Sequence, residues 1–148
     1  MKKHIRFVML FCSTLWMLCL LSGCAGQEGY GPSSVSLDAK DEEWMAVSIK
    51  ETGKTGGTFV LKNCGHTDIS YGDRNILEKN MDGQWREVLS YTRREMTEPD
   101  YLLEPGVSTE YETTWDSLSE GDYRYILPFR VMDGETGNIH YAAVNFTV

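Results

Sequence analysis

Alternation of apolar and polar residues with a period of two restricts the fold of this chain more than any other feature. In residues 123–129 a large apolar or aromatic side chain occupies every second position: Tyr123, Tyr125, Leu127 and Phe129. Residues 45–49 and 139–148 show a similar alternation. Successive side chains of a strand point to opposite faces, whereas a helix repeats about every 3.6 residues. The sequence therefore predicts strands with one face in a core.

Turn-forming residues join these strands in pairs. A glycine-rich turn at residues 53–57 separates two apolar runs, and Asp82-Gly83 separates two more. Asp-Gly is favoured in two-residue hairpin turns because both positions take positive φ angles. About seven such strands, without a convincing helix, predict an all-β fold, an Ig-like antiparallel β-sandwich.

One tyrosine fits a more specific feature of that architecture. Residues 118–123, Leu-Ser-Glu-Gly-Asp-Tyr, resemble the tyrosine corner, in which a tyrosine hydroxyl bonds to backbone a few residues upstream. The alternative is an ordinary packed tyrosine. Tyr125 stands where an antibody-type domain has a cysteine, so the expected sandwich lacks the inter-sheet disulfide.

The first 23 residues have the pattern of a secretory signal. Lys2, Lys3 and Arg6 precede a mostly apolar run over residues 7–21. The run is shorter than the roughly 20 apolar residues of a membrane-spanning helix, and no basic stop follows it.

Cys24 directly follows this signal and is the predicted lipidation site. The stretch Leu21-Ser22-Gly23-Cys24 resembles the lipobox of bacterial lipoproteins. The resemblance implies cleavage before Cys24, a diacylglyceryl group on its sulfur and, in many bacteria, a further acyl chain such as palmitate. Each buried lipid methylene contributes about 0.8 kcal/mol, so two chains hold a protein at a membrane where one chain binds reversibly. A plain signal peptide with an incidental cysteine is the alternative.

The chain then divides into three parts. We predict a signal peptide at residues 1–23, a lipidated cysteine and flexible tether at 24–42, and one Ig-like domain at 43–148. The tether assignment depends on the composition of residues 25–38, which are rich in Gly, Ser and Pro and show no periodicity. The predicted location is the extracytoplasmic side of the cell membrane.

The charge of the mature chain excludes one class of partner. Three of the 14 basic residues lie in the signal, which leaves 11 against 22 acidic residues and a net charge of −11. Nucleic acid binding requires Lys and Arg to neutralise phosphates, so we expect no nucleic acid partner. Electrostatic docking on anionic lipid is disfavoured for the same reason.

The residues that carry chemistry are few. Cys64 is the one cysteine left after the signal and Cys24, so no intramolecular disulfide is expected. It is either a small tolerated residue or a thiol that is redox-reactive or forms a dimer. His66 and His140 are too scattered to suggest a metal site. The acidic run that contains Asp38, Asp41, Glu42 and Glu43 lacks the ligand spacing of a calcium loop and predicts a solvated surface. We therefore expect no cofactor, no metal and no catalytic residues.

Aromatic residues and loops supply the candidate contacts. Trp85, Trp115, Tyr123 and Phe129 lie at positions that suit a core, whereas Trp44 and Tyr101 lie near strand ends and are candidates for exposed contacts. The connections at residues 63–71 and 89–101 are candidate recognition loops, because sandwich domains commonly bind through their loops.

Several of these features together resemble a known family. Tyr71-Gly72, Leu77-Glu78-Lys79, Trp85, Pro105-Gly106, Trp115 and Gly121-Asp122-Tyr123-Arg124 resemble the bacterial Ig-like domain of small lipoproteins and sensor-associated proteins in Gram-positive bacteria. Asp116-Ser117 departs from the family pattern, which often has a glycine there. The resemblance implies no catalytic residues.

The sequence thus favours a membrane-anchored binding or structural module. Its partner would be an envelope protein or a wall polymer, besides the membrane itself. A protease inhibitor of similar fold, presenting a loop around Arg93-Arg94, is the alternative, and an enzyme is a third possibility.

Overall fold

The computed structural model describes residues 29–92, 101–134 and 138–148, which form two antiparallel β-sheets. The described residues contain ten strand segments and two short helical turns. The strands are β1 (Tyr30–Pro32), β2 (Met45–Gly53), β3 (Gly56–Asn63), β4 (Ile69–Tyr71), β5 (Ile76–Met81), β6 (Gln84–Val88), β7 (Tyr101–Leu103), β8 (Ser108–Thr114), β9 (Asp122–Val131) and β10 (His140–Thr147). A 3-10 helix covers Ala39–Glu43, and helix α1 covers Leu89–Thr92. No helix within the described ranges is long and apolar enough to span a membrane.

The larger sheet is organised around β9. Its order is β1-β6-β5-β9-β4-β7, and β10 pairs with the other edge of β9. Both β4 and β5 pair with β9, β5 near its start and β4 at its end, so they behave as one interrupted strand. The smaller sheet has the order β2-β3-β8. The structure has three segments more than the seven strands predicted: β1, the short β7, and the additional segment that results from the interruption between β4 and β5.

The core lies between the sheets and is rich in aromatic residues. Tyr123, Tyr125 and Leu127 of β9 are fully buried on its inner face, as the period of two predicted. Phe59 of β3 stacks on Tyr125 with ring centroids 4.1 Å apart. Trp115, which follows β8, is 4 % exposed and stacks on Phe146 of β10. Aromatic packing therefore joins the two sheets where an antibody-type domain has a disulfide.

The predicted hairpins and the tyrosine corner are present. β2 pairs with β3, and β5 pairs with β6 around a turn in which Asp82 and Gly83 have φ angles of 54° and 82°. Both angles are positive, as the two-residue hairpin turn requires. The Tyr123 hydroxyl donates a 2.8 Å hydrogen bond to the backbone oxygen of Ser119. The corner interpretation is confirmed, and the ordinary packed tyrosine is excluded.

The N-terminal part of the described chain differs from the tether that we predicted. Residues 29–43, here called the strap, contain β1 and the 3-10 helix. β1 pairs with β6, and Ser34 donates its backbone N–H to Glu87 of β6. Asp41 then bonds to His140 and to the Tyr141 N–H of β10, at the opposite edge of the larger sheet. The chain therefore contacts the rest of the domain from about Tyr30 onward, and not from about Glu43 onward.

The strap crosses the outer face of the larger sheet. Ile126 and Glu78 face away from the core, because their neighbours Tyr125 and Leu77 face into it. Both are nevertheless fully buried. We infer that the strap covers them, since it joins β6 to β10 across this face. Asp41, which we expected in a solvated acidic run, is only 8 % exposed because the β10 edge encloses it.

Trp85 is a second correction, because it does not belong to the core. It lies two residues before Glu87 on β6 and shares the outer face with Glu78 and Arg124. The Arg124 guanidinium carbon lies 4.5 Å from the centre of the Trp85 ring. The contact with Arg124 shields one face of the Trp85 ring on the outer side of the sheet. The residue pattern of the strand alone did not distinguish this outer face from the core face.

Candidate functional site

Exposed apolar side chains collect at one end of the larger sheet. Leu102 is 64 % exposed, Met132 is 55 % exposed and Ile139 is 47 % exposed. They belong to three different parts of the chain, and strand pairing brings them together. Isolated apolar residues are common on protein surfaces, but three at the same end of one sheet make this end a candidate contact site.

The register of the sheet fixes how this group is arranged. Ser70 of β4 pairs with Leu102 on one side and with Arg130 on the other. Ile139 immediately precedes His140, which pairs with Phe129, so Ile139 lies beside Arg130. Met132 is two residues beyond Arg130 and shares its face. Leu102, Arg130, Met132 and Ile139, which we call the loop-end patch, thus span three strand spacings, about 14 Å.

Hydrogen bonds beneath the loop-end patch hold its loops in place. Asn63 is fully buried, and its Nδ2 donates to the backbone oxygens of Thr67 and Leu103, each at 2.8 Å. Its Oδ1 accepts from the Gly65 N–H at 2.9 Å. The Met132 N–H donates to the Asp68 oxygen at 2.9 Å. One buried amide therefore links the β3–β4 connection to the end of β7, which carries Leu102 of the patch.

The structure separates the two predicted recognition loops. Residues 63–71 lie at the same end as the loop-end patch and carry the exposed Cys64 and His66. Residues 89–92 instead pack at the side of the sandwich, where Tyr91 is buried and shares a 2.9 Å hydrogen bond with Thr113 of β8. The remainder of this loop, with Arg93 and Arg94, lies outside the described residues, as does Cys24. Those two candidate sites stay predictions.

The two predicted contact aromatics have different surroundings. Tyr101 is 41 % exposed and lies next to the loop-end patch, with its ring centroid 5.3 Å from that of Tyr71. Trp44 is half-buried against the core, and Gly65 approaches its ring so closely that an added Cβ would lie 2.8 Å from Cε3. Tyr101 is thus available for contact, whereas Trp44 packs beneath the β3–β4 loop.

A group of tyrosines lies at the open side of the sandwich. The Tyr111 hydroxyl donates to Asp73 at 2.8 Å and accepts from Asn75 at 2.8 Å. Burial and the Asp73 carboxylate raise the pKa of Tyr111, and burial raises the pKa of Tyr125. Both phenols therefore stay protonated at neutral pH. The Tyr111 hydroxyl acts as a hydrogen-bond donor to Asp73, and its contacts with Asp73 and Asn75 join β8 to the β4–β5 connection.

A buried ion pair occupies the outer face beneath the strap. Arg124 donates from both Nε and Nη2 to Glu78 Oε2, the first of these at 2.9 Å. Glu87 is directly opposite Glu78 on β6 and accepts from the Ser34 N–H at 3.0 Å. Sequence analysis missed this cluster because strand alternation places these residues on an outward face, and nothing local indicates that a strap covers them. Across the residues that the structure describes, no three His, Cys, Asp or Glu side chains converge as metal ligands.

Sequence analysis also missed the loop-end patch. One signal for Leu102 is visible in retrospect. It is the middle residue of a three-residue strand, and its apolar side chain lies at the position that faces outward. Met132 and Ile139 give none, since their proximity to Leu102 depends on pairing between distant strands.

Comparison with known proteins agrees with the architecture. The sequence matches the model of a family described as a bacterial Ig-like domain over residues 39–139. A search of curated proteins and a search of solved structures gave no match.

Proposed function

The chain belongs to the bacterial Ig-like domain family, and on this premise we propose that it is a membrane-anchored module that binds another protein of the cell envelope. The observation that carries the proposal is the loop-end patch. Arg130 lies between exposed Leu102 and exposed Ile139. Methionine and arginine are enriched at contacts between proteins, and arginine is one of the residues that contribute most to binding energy.

The chemistry of the patch favours a protein over a wall polymer. Apart from Arg130, its exposed side chains are aliphatic or thioether groups, which lack the flat rings that stack on sugars, although Tyr101 at its border carries such a ring. The mature chain has a net charge of −11, so an exposed basic residue such as Arg130 differs in sign from most of its charged surface. Its guanidinium can pair with a carboxylate of the partner. We therefore propose a protein partner with an apolar site that includes an acidic residue.

Anchoring through Cys24 is the second part of the proposal. The lipobox-like residues 21–24 and the preceding apolar run support it. A lipid on Cys24 would hold the domain on the extracytoplasmic side of the membrane, where two acyl chains give stable attachment.

Capture with surface variants tests the binding role. A soluble protein of residues 25–148 is immobilised and exposed to detergent-solubilised envelope. A specific protein should be retained by the unchanged domain and lost with Leu102→Ser or Arg130→Glu. Met81→Ser is the matched control, because Met81 is 41 % exposed and lies at the β5–β6 turn, away from the patch.

The alternatives have distinct outcomes in the same experiment. If the retained protein is a protease that the domain inhibits, and if Arg93→Ala with Arg94→Ala releases it, the protease-inhibitor alternative replaces the binding module. If nothing is retained and the pure domain hydrolyses an envelope substrate with saturable kinetics, the molecule is an enzyme. Equal retention by Leu102→Ser and Met81→Ser would contradict a role for the loop-end patch.

A further inference from the structure

The position where the chain joins the domain determines which surface lies nearest the membrane. Gly29 is the first described residue, and its oxygen accepts a 2.9 Å hydrogen bond from the Leu89 N–H. β1 follows directly and pairs with β6. The chain therefore joins the domain at the outer edge of the larger sheet, where Tyr30 pairs with Val88, the last residue of β6.

Very little chain separates this point from the proposed lipid. Residues 25–28 are the only ones between Cys24 and Gly29. A chain spans at most about 3.6 Å per residue, so the five steps from Cys24 to Gly29 reach about 18 Å. A domain of about 100 residues has a radius of gyration of about 13 Å, which corresponds to a diameter of about 34 Å for a compact sphere. The attachment point at Gly29 therefore stays within about 18 Å of Cys24, which is less than the width of the domain, whereas a tether of 18 residues would reach more than three times as far.

The strap is what makes the connection short. Its residues have the composition of a flexible linker, but β1 pairing, the Ser34–Glu87 bond and the two bonds of Asp41 attach them to the larger sheet. Attachment at both edges prevents the strap from extending without loss of several hydrogen bonds. The available tether is therefore residues 25–28.

We propose that the edge formed by β1 and β6, here called the β1 edge, lies against the lipid headgroups of the membrane that holds Cys24. This inference rests on the proposed lipid anchor. A shallow cavity of about 440 Å³ opens at the β1 edge, lined by Tyr30, Met81, Asp82, Gln84 and Arg86. Its composition suits a headgroup layer, because tyrosine and methionine can contact the acyl boundary while the guanidinium of Arg86 binds phosphate.

The opposite edge of the molecule is held away from the membrane. From β1 to β10 the larger sheet has four strand spacings, about 19 Å. β2 packs beside β10, so Ile49 of β2 lies on the far side from Met81. These two residues form a matched pair for labelling, because Ile49 is 38 % exposed and Met81 is 41 % exposed.

Fluorescence transfer to labelled lipid tests this arrangement. The lipidated protein, purified from membranes in a Cys64→Ser background, carries a donor dye at Met81→Cys or at Ile49→Cys. It is reconstituted into vesicles of phosphatidylethanolamine and phosphatidylglycerol that contain an acceptor dye on the headgroup. We expect more efficient transfer from position 81 than from position 49. Insertion of 20 Gly/Ser residues after Glu28 should lower both efficiencies and remove the difference.

The controls separate this inference from the anchor itself. Flotation with vesicles is measured first, and failure of the unchanged protein to float would refute the anchor. If the protein floats but positions 81 and 49 transfer equally, the anchor stands and the β1-edge orientation is wrong. Gln84→Cys is a second near-side position that should behave like Met81→Cys, and circular dichroism shows whether each variant is folded.

Discussion

Replacement of Arg124 by methionine is the sharpest test of how the outer face of the larger sheet is held together. Glu78 is fully buried, and the side chain of Arg124 is 15 % exposed. Methionine keeps an apolar stem over Trp85 but removes the guanidinium, so Glu78 would remain buried without the cation that neutralises it. A second buried carboxylate, Glu87, pairs directly with Glu78 across the strands.

The expected loss of stability is large for a single substitution. Removal of one partner from a buried ion pair costs about 3–5 kcal/mol, because the other charge is left without compensation. Loss of the contact with Trp85 adds up to about 1 kcal/mol. With an m-value of about 2 kcal/mol/M, urea unfolding followed by tryptophan fluorescence should show a midpoint lower by about 2 M.

Two further variants identify the cause. Arg124→Met combined with Glu78→Leu removes both charges and should recover most of the stability, since apolar replacement of a whole buried pair is often neutral or favourable. Lys50→Met breaks the exposed Lys50–Glu110 pair and should leave the midpoint almost unchanged. If Arg124→Met costs no more than Lys50→Met, Glu78 is not enclosed and the covering role of the strap is wrong.

Three other predictions follow from single sites. Cys24→Ala should abolish incorporation of radiolabelled fatty acid, and equal labelling of mutant and wild type would refute the lipoprotein assignment. Tyr123→Phe should lower the unfolding free energy by about 1 kcal/mol, because it removes the hydrogen bond from the Tyr123 hydroxyl to the backbone oxygen of Ser119, an exposed residue that water can reach. An unchanged denaturant midpoint would show that this bond contributes nothing. The free energy of unfolding should fall as pH rises above about 10, the ordinary pKa of tyrosine. Burial raises the pKa of Tyr111 in the folded state, so ionisation favours the unfolded chain. Tyr111→Phe should reduce this loss of stability at alkaline pH, and a wild-type denaturant midpoint that stays constant through this range would contradict the prediction.

Local signals in the sequence predicted much of the fold. The alternation in β9, the Asp82-Gly83 turn and the Tyr123 corner each depend on residues close together in the chain, and the structure contains all three. The strap was missed because residues 29–43 lack periodicity, and their conformation depends on pairing with β6 and β10, more than 50 residues away. Composition alone cannot distinguish a free linker from one that is hydrogen-bonded along its length.

The candidate site was less accessible to sequence reasoning for the same reason. The sequence predicts the loop at residues 63–71 as an end loop, but Leu102, Met132 and Ile139 lie at the same end of the sheet only because β7, β4, β9 and β10 pair in a particular register. The sequence predicts Trp85 in the core, because a strand that is covered on both sides carries large side chains on both faces and lacks a clear alternation of apolar and polar residues. Sites formed by long-range pairing therefore require the structure.

Photocrosslinking at the loop-end patch in cells tests the central claim most directly. A photoreactive amino acid replaces Leu102 in the full-length chain, and the matched control carries it at Ile49 on the far edge of the smaller sheet. The account predicts one reproducible crosslinked envelope protein from position 102, absent from position 49 and lost when Arg130→Glu is added. No product from position 102, or the same products from positions 102 and 49, would contradict a binding module that acts through the loop-end patch.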